Sequence, residues 1–188
     1  AINVDATSVY STNRGGQIIK VSLGGSTPIN LASGQPSPDI IAVDATSVYW
    51  TTYDTYGRVL KVPLDGGTPL AIAIDQDQPP AMTIDSTSIY WATSNSSIGP
   101  GATFLKAPLD GGAPVTLAEG QFTPFYITVD STSLYFTNVD RVMKVPLDGG
   151  TPTTLASGQN EAFAIAVDST SLYWTDSIAG TVMKLTPK

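Results

Sequence analysis

One phrase recurs five times along this chain at a spacing near 40 residues. It is an apolar residue and an aspartate, then a Thr-Ser step, then a tyrosine followed in four copies by a second ring, and later a lysine. The aspartates are Asp5, Asp44, Asp85, Asp130 and Asp168, with steps of 39, 41, 45 and 38 residues. The lysines are Lys20, Lys61, Lys106, Lys144 and Lys184, with steps of 41, 45, 38 and 40. Two markers that drift together define whole repeated units. A unit this short cannot bury both of its faces, so it must stack on its neighbours.

The second copy shows what each unit can form. Residues 40–43 are apolar and mostly β-branched, as suits a strand buried on both faces. Asp44-Ala45-Thr46-Ser47 reads as a tight turn whose aspartate accepts from the amides that follow. A second strand over 48–51 places Val48 and Trp50 on one face and Tyr49 and Thr51 on the other. A polar loop over 53–57 leads to a third strand, 58–64, in which Pro63 must sit near the end or with its missing N–H facing outward. Asp65-Gly66 predicts a two-residue hairpin with positive φ at both positions, and 67–74 returns as a fourth strand. Four short antiparallel strands in about 40 residues make a propeller blade. No apolar spacing of three and four residues occurs outside the strands, which argues against a helical or leucine-rich solenoid.

The expected fold is therefore an all-β, five-bladed β-propeller of four-stranded antiparallel blades, a single domain over 1–188 with repeats near 1–34, 35–76, 77–119, 120–158 and 159–188. After Lys184 only Leu185, Thr186, Pro187 and Lys188 remain, so the last blade lacks its fourth strand and the total is 19 strands. A ring closed by contact between the first and fifth blades is the favoured arrangement. The alternatives are a structural fragment of a larger six- or seven-bladed propeller and an oligomer formed through the open edge of the last blade, which Pro187 and Lys188 partly discourage.

Tyrosine stands in all five aromatic positions: Tyr10-Ser11, Tyr49-Trp50, Tyr90-Trp91, Tyr135-Phe136 and Tyr173-Trp174. A position repeated so faithfully is a packing position between blades. Tyr173-Trp174-Thr175-Asp176 spells Y-W-T-D in full, and the other copies are degraded forms of it. The chain resembles the YWTD-repeat propellers of lipoprotein-receptor ectodomains. In its Val-Asp-x-Thr-Ser and Lys-Val-Pro-Leu-Asp-Gly-Gly phrases it is more similar still to bacterial repeat proteins, mostly without assigned function. The resemblance implies a radial array of four-stranded blades with ligands bound on one end face. The receptor family usually has six blades and neighbouring cysteine-rich modules. This chain has five copies and no cysteine, so neither blade number nor receptor role carries over.

Composition removes several function classes. The formal net charge is −7, and five of the nine basic residues are the repeated lysines, so no basic run exists to neutralise a row of phosphates. Nucleic acid is excluded as a partner on that ground, and no stretch is long and apolar enough for membrane insertion. With no histidine and no cysteine, the common serine, cysteine and zinc hydrolase constellations cannot be assembled, and no cofactor is implied. A start at Ala1 already inside a repeat fits a processed, secreted or periplasmic protein. Asn95-Ser96-Ser97 is a glycosylation acceptor in form.

Antiparallel strands sort the turns to opposite ends of the propeller. One end carries the Asp-x-Thr-Ser and Asp-Gly-Gly turns, which barely change. The other carries the loops 13–17, 53–57, 94–103, 138–140 and 176–180 and the links 33–39, 75–81, 119–126 and 157–163, which vary. Ile98-Gly99-Pro100-Gly101 makes the longest loop stand proud. The variable end holds Tyr53, Tyr56, Phe122, Phe125, Tyr126 and Phe163 among Asp54, Asp75, Asp77, Glu119, Asn160 and Glu161. Rings with acids and amides suit a lectin-like sugar site, and the same rings suit a protein surface. A non-enzymatic scaffold binding carbohydrate or protein is the primary reading. The alternative is a polysaccharide-acting glycoside hydrolase using two of Glu119, Glu161, Asp54, Asp75 and Asp77. Asp75-Gln76-Asp77 offers oxygens to calcium but lacks the glycine-centred loop, so no metal site is assigned. The repeated aspartates and lysines either pair within each blade or serve separate structural roles.

Overall fold

A computed structural model describes residues 1–94 and 100–188. Asn95-Ser96-Ser97 and the Ile98-Gly99 part of the longest loop lie outside the described residues. The protein is a five-bladed β-propeller. The first blade comprises β1 (Ile2–Val4), β2 (Ser8–Thr12), β3 (Ile18–Ser22) and β4 (Ile29–Ala32). The second comprises β5 (Pro38–Val43), β6 (Ser47–Thr52), β7 (Arg58–Pro63) and β8 (Leu70–Ala73). The third is β9 (Ala81–Ile84), β10 (Ser88–Ala92), β11 (Ala102–Pro108) and β12 (Val115–Gln121). The fourth is β13 (Tyr126–Val129), β14 (Ser133–Thr137), β15 (Arg141–Pro146) and β16 (Thr153–Ser157). The fifth stops at three strands, β17 (Ala162–Val167), β18 (Leu172–Asp176) and β19 (Thr181–Leu185). Every sheet is an antiparallel meander in chain order.

The repeated rings hold the blades together. Each of the first four tyrosines faces the blade that follows, and each second ring faces the blade before. Tyr10 thus shares a core with Trp50, Tyr49 with Trp91, Tyr90 with Phe136, and Tyr135 with Trp174. Between the third and fourth blades the Phe104 and Phe136 rings meet at 4.4 Å. Burying a large ring contributes about 2–3 kcal/mol, so these four cores dominate the packing. Alternation lets one strand serve two cores, and β6 is buried along its whole length for that reason.

Pro63 ends its strand, as its missing N–H requires. The Asp-Gly turn differs from expectation. The Gly66 amide donates to the Pro63 carbonyl, and the left-handed residues are Gly66 and Gly67, not Asp65 and Gly66. The tight turn falls one residue early, on Leu64-Asp65, and the first glycine restores the strand direction. The fourth strand is correspondingly shorter than expected, starting at Leu70.

Closure also differs from expectation. Among the described residues no buried cluster joins the fifth blade to the first. Ile2 is 71% exposed, whereas its counterparts Ile41, Met82 and Ile127 are buried. On the far side, Val182 is 76% exposed. These two outer faces are the ones that no neighbouring blade covers among the described residues.

Candidate functional site

Hydrogen bonds sort the turns onto two ends. The Leu23, Leu64, Leu109 and Leu147 amides donate to the carbonyls of Thr7, Thr46, Thr87 and Thr132, which puts both repeated turns at one end. The Gln35, Gln76 and Gln159 amides donate to the carbonyls of Gly16, Gly57 and Asp140, which puts loops and links at the other.

The repeated aspartates are turn organisers. Asp85 accepts from the Thr87 amide at 2.7 Å, the Ser88 amide at 2.8 Å, the Thr87 hydroxyl at 3.0 Å and the buried Tyr90 hydroxyl at 2.7 Å. The same bonds recur around Asp5, Asp44, Asp130 and Asp168. Partial burial pulls the Asp44 and Asp85 carboxyls upward, but the converging donors outweigh it and hold both below the ordinary value. At Asp168 the Thr170 amide leads and the carboxyl is held at about 2. Burial first, and the aspartate acceptor second, push the Tyr49 and Tyr135 hydroxyls up to about 12.

The lysines do not pair with these aspartates within their own blade. Lys20, Lys106 and Lys184 sit 5.4–5.7 Å from the rings of Tyr10, Tyr90 and Tyr173. Lys20 and Lys61 also donate to the carbonyls of Leu64 and Leu109 in the following blade, at 3.2 and 2.6 Å. Separate structural roles therefore hold. At Tyr135 the ring is covered by Lys188, which bridges to Asp130 at 2.7 Å. Two polar clefts open between blades at this end, of about 480 and 550 Å³, the larger containing Lys188.

The variable end gathers some of the expected rings and scatters others. Phe163 meets Phe125 at 5.3 Å and Tyr126 at 5.1 Å between ring centroids, forming one aromatic group from two blades. Tyr126 is 43% and Phe163 39% exposed. Phe125 and Tyr126 also line an axial cavity of about 380 Å³ with Ala1, Ile2, Ile41 and Met82 from the innermost strands. Tyr126 and Phe163 belong to β13 and β17, so they are presented by sheet rather than by the free links expected. Tyr53, Tyr56 and Phe122 stand exposed with no aromatic partner among the described residues.

The acids do not converge with the rings. No carboxylate lines the axial cavity. Glu161 accepts from the Ser177 hydroxyl, and its left-handed backbone, φ 76°, is tied by its amide to the Val139 carbonyl. Asp54 accepts from Thr52 at 2.9 Å. Glu119 lies exposed near the end of β12, and the Asn160 amide donates to Asp176 at 2.8 Å. Asp75 occupies the left-handed position that Gly34, Gly120 and Gly158 fill in other links, which is a conformational role open to aspartate. No group of three or more acids arranged for a metal occurs among the described residues.

The residue after that left-handed position was not singled out by the sequence reading. Gln35, Gln76, Gln121 and Gln159 each turn their amide onto the carbonyl two residues back. The freed oxygens of Gln76 and Gln159 accept the indole N–H of Trp91 and Trp174, both at 2.8 Å. The buried Trp50 N–H has no partner among the described residues. The fourfold recurrence of glutamine was the available signal.

No family model matches the chain, and no curated protein matches it. Solved structures do. A chain of the nidogen/laminin complex is similar at 22% identity and TM-score 0.78, over 96% of this chain and 72% of that one. A gluconolactonase from Xanthomonas campestris is similar at 17% identity and TM-score 0.70, over 100% and 71%. TolB from Acinetobacter baumannii is similar at 14% identity and TM-score 0.66, over 96% and 52%. At these identities the likeness establishes the propeller fold alone. Among the described residues no helix is long and apolar enough to cross a membrane.

Proposed function

We propose that the chain is an exported, YWTD-like binding scaffold that grips a protein surface through its variable end, with Phe125, Tyr126 and Phe163 as anchors. The observation that carries this reading is the aromatic trio itself, part-exposed beside an apolar axial cavity. Adjacent rings beside an apolar depression suit an inserted apolar side chain from a partner. A sugar site asks for free acids or amides beside the rings, and here Glu161 is engaged by Ser177 while no carboxylate reaches the cavity. The same arrangement lends little support to a two-carboxylate hydrolase. Nidogen, a structural neighbour, was crystallised in complex with laminin, which fits a protein partner. A further structural neighbour is the extracellular domain of a one-component system from B. thetaiotaomicron, which fits export.

The test is selection of peptide ligands from a random displayed library on the intact chain, with a glycan array run in parallel. Phe163→Ala and Tyr126→Ala should each weaken the selected peptides by roughly thirtyfold, the effect of losing a binding hot spot. Ligands indifferent to both substitutions, or glycans bound at the trio while no peptide is, would refute the protein reading.

A further inference from the structure

A lysine ammonium already occupies one of the two polar clefts between blades. Lys188 Nζ lies 2.7 Å from Asp130 Oδ2 and 5.8 Å from the centroid of the Tyr135 ring, and it donates to the Asp168 carbonyl of the fifth blade. Both side chains of the ion pair are largely buried, at 13% and 16% exposed. A carboxylate, a ring face and a carbonyl each present negative potential to one point, which makes a socket for a single ammonium group.

The same socket is built one junction earlier, between the third and fourth blades. There Asp85 takes the place of Asp130, Tyr90 that of Tyr135, and Ser131 that of Ser169. Asp85 Oδ2 accepts from the Tyr90 hydroxyl at 2.7 Å, as Asp130 Oδ2 accepts from Tyr135 at 2.9 Å. The oxygen of Asp130 takes the ammonium on its remaining lone pair, whereas Asp85 has no ion pair among the described residues.

Charge distinguishes the two clefts. Leu185 pairs with Leu172 as Val145 pairs with Leu134, so three residues further on Lys188 falls where Asp148 stands. The later cleft therefore sets Asp130 and Asp168 against Lys144 and Lys188, while the earlier one sets Asp85 and Asp148 against Lys106 alone. It is one cation short. Lys20 and Lys61 are tied across their own junctions to the carbonyls of Leu64 and Leu109, but Lys106 makes no such bond among the described residues and rests 5.5 Å from the Tyr90 ring. The later cleft shows that two ammonium groups fit one such space, with the ring covered by Lys188 and not by Lys144.

We propose that the cleft between the third and fourth blades, at the end opposite the aromatic trio, is a binding site for a primary alkylammonium group, carried by a lysine side chain of another polypeptide or by a free alkylamine. The ammonium bonds Asp85 Oδ2 and the Asp130 carbonyl against the Tyr90 ring. Lys106 yields that ring as Lys144 yields Tyr135.

The probes are Nα-acetyl-lysine methylamide and n-butylammonium chloride, titrated at constant ionic strength into the intact isotope-labelled chain. The reporters are the Thr87 and Ser88 amide resonances, both groups being donors to Asp85. Half-saturation at roughly 1–10 mM is expected for one charged contact on an aromatic face. Tighter binding of the lysine probe assigns the site to a polypeptide side chain, and the reverse order assigns it to a free amine. The lysine probe acetylated on Nε should give no saturable shift. Asp85→Ala would remove the turn together with the socket, so the decisive variants are lysines. Lys188→Met should open a second site, reported by the Ser133 amide that donates to Asp130, with an affinity within about threefold of the first. Lys106→Met should tighten the first site by about threefold or more, because a like charge is removed. The proposal is overturned by no saturable shift at Thr87 and Ser88 up to about 100 mM, or by equal binding of the Nε-acetylated probe. It is equally overturned if Lys188→Met gains no response at Ser133 or Lys106→Met leaves the affinity unchanged.

Discussion

Replacing Asp85 with alanine isolates the bond set on which each blade turn depends. The carboxylate gathers four donors, of which the Tyr90 hydroxyl is inaccessible to water while the turn amides lie near the surface. A buried hydroxyl bonded to a charged acceptor is worth about 1.5–3 kcal/mol, and the two amides, which water can reach, about 0.5 kcal/mol each. Discounting for the partial exposure of Asp85 gives a loss of about 3 kcal/mol. For a chain of this size that lowers the melting midpoint by about 6–12 °C. Tyr90→Phe removes one donor and leaves the carboxylate its other three, so about 1 kcal/mol is expected. The two losses should not add. A double-mutant cycle by urea unfolding should return a coupling of about 1–2 kcal/mol, because the second change removes a bond the first has already broken. A midpoint for Asp85→Ala within about 1 °C of wild type, or strict additivity, refutes the assignment of Asp85 as the turn's organiser.

Stability should be flat through neutral pH and fall on both sides. The Asp44, Asp85 and Asp130 carboxyls are held below their ordinary value in the folded chain, so their contribution is full above that value and disappears as pH drops toward the folded pKa. Tyr49 and Tyr135, raised to about 12, contribute fully below about pH 10 and lose that contribution as pH climbs toward 12. Equal urea midpoints at about pH 3, 7 and 11 would count against both statements. Gly16→Ala should cost about 2–3 kcal/mol, because φ is +77° and an added Cβ would meet the Gln35 carbonyl at 2.7 Å. Gly25→Ala, with φ +79° and open space, should cost about 1 kcal/mol, and equal losses by chemical denaturation would show that the contact is irrelevant.

Much of the fold was legible because the determinants are local and repeated. Aspartate turns, β-branched runs and the Tyr-Trp step sit at fixed offsets, so one copy read carefully predicts the rest. The three strands of the fifth blade are legible in residues 159–188. The site was less legible because its geometry lives in the links. The recurrent glycine before glutamine announces the left-handed Asp75, but Ser37, Asp77, Gln78 and Glu161 are non-glycine residues in left-handed conformations with no such repeat to mark them. Phe125, Tyr126 and Phe163 meet across two blades, a contact between segments far apart in sequence. The occupation of Glu161 by Ser177 depends on two segments brought together only after the blade forms.

Among the described residues four buried seams hold five blades, and none ties the last to the first. The stack therefore has a middle and two termini, and each sheet draws support only from those it touches. The third blade is clamped from both directions and the outermost two from one. Fraying should start where support is one-sided, so amides in β2 and β18 are expected to exchange ahead of those in β10 in a native-state hydrogen-exchange measurement, even though their ladders are alike. Cohesion in this molecule grows with the number of neighbours present, not with completion of a circle.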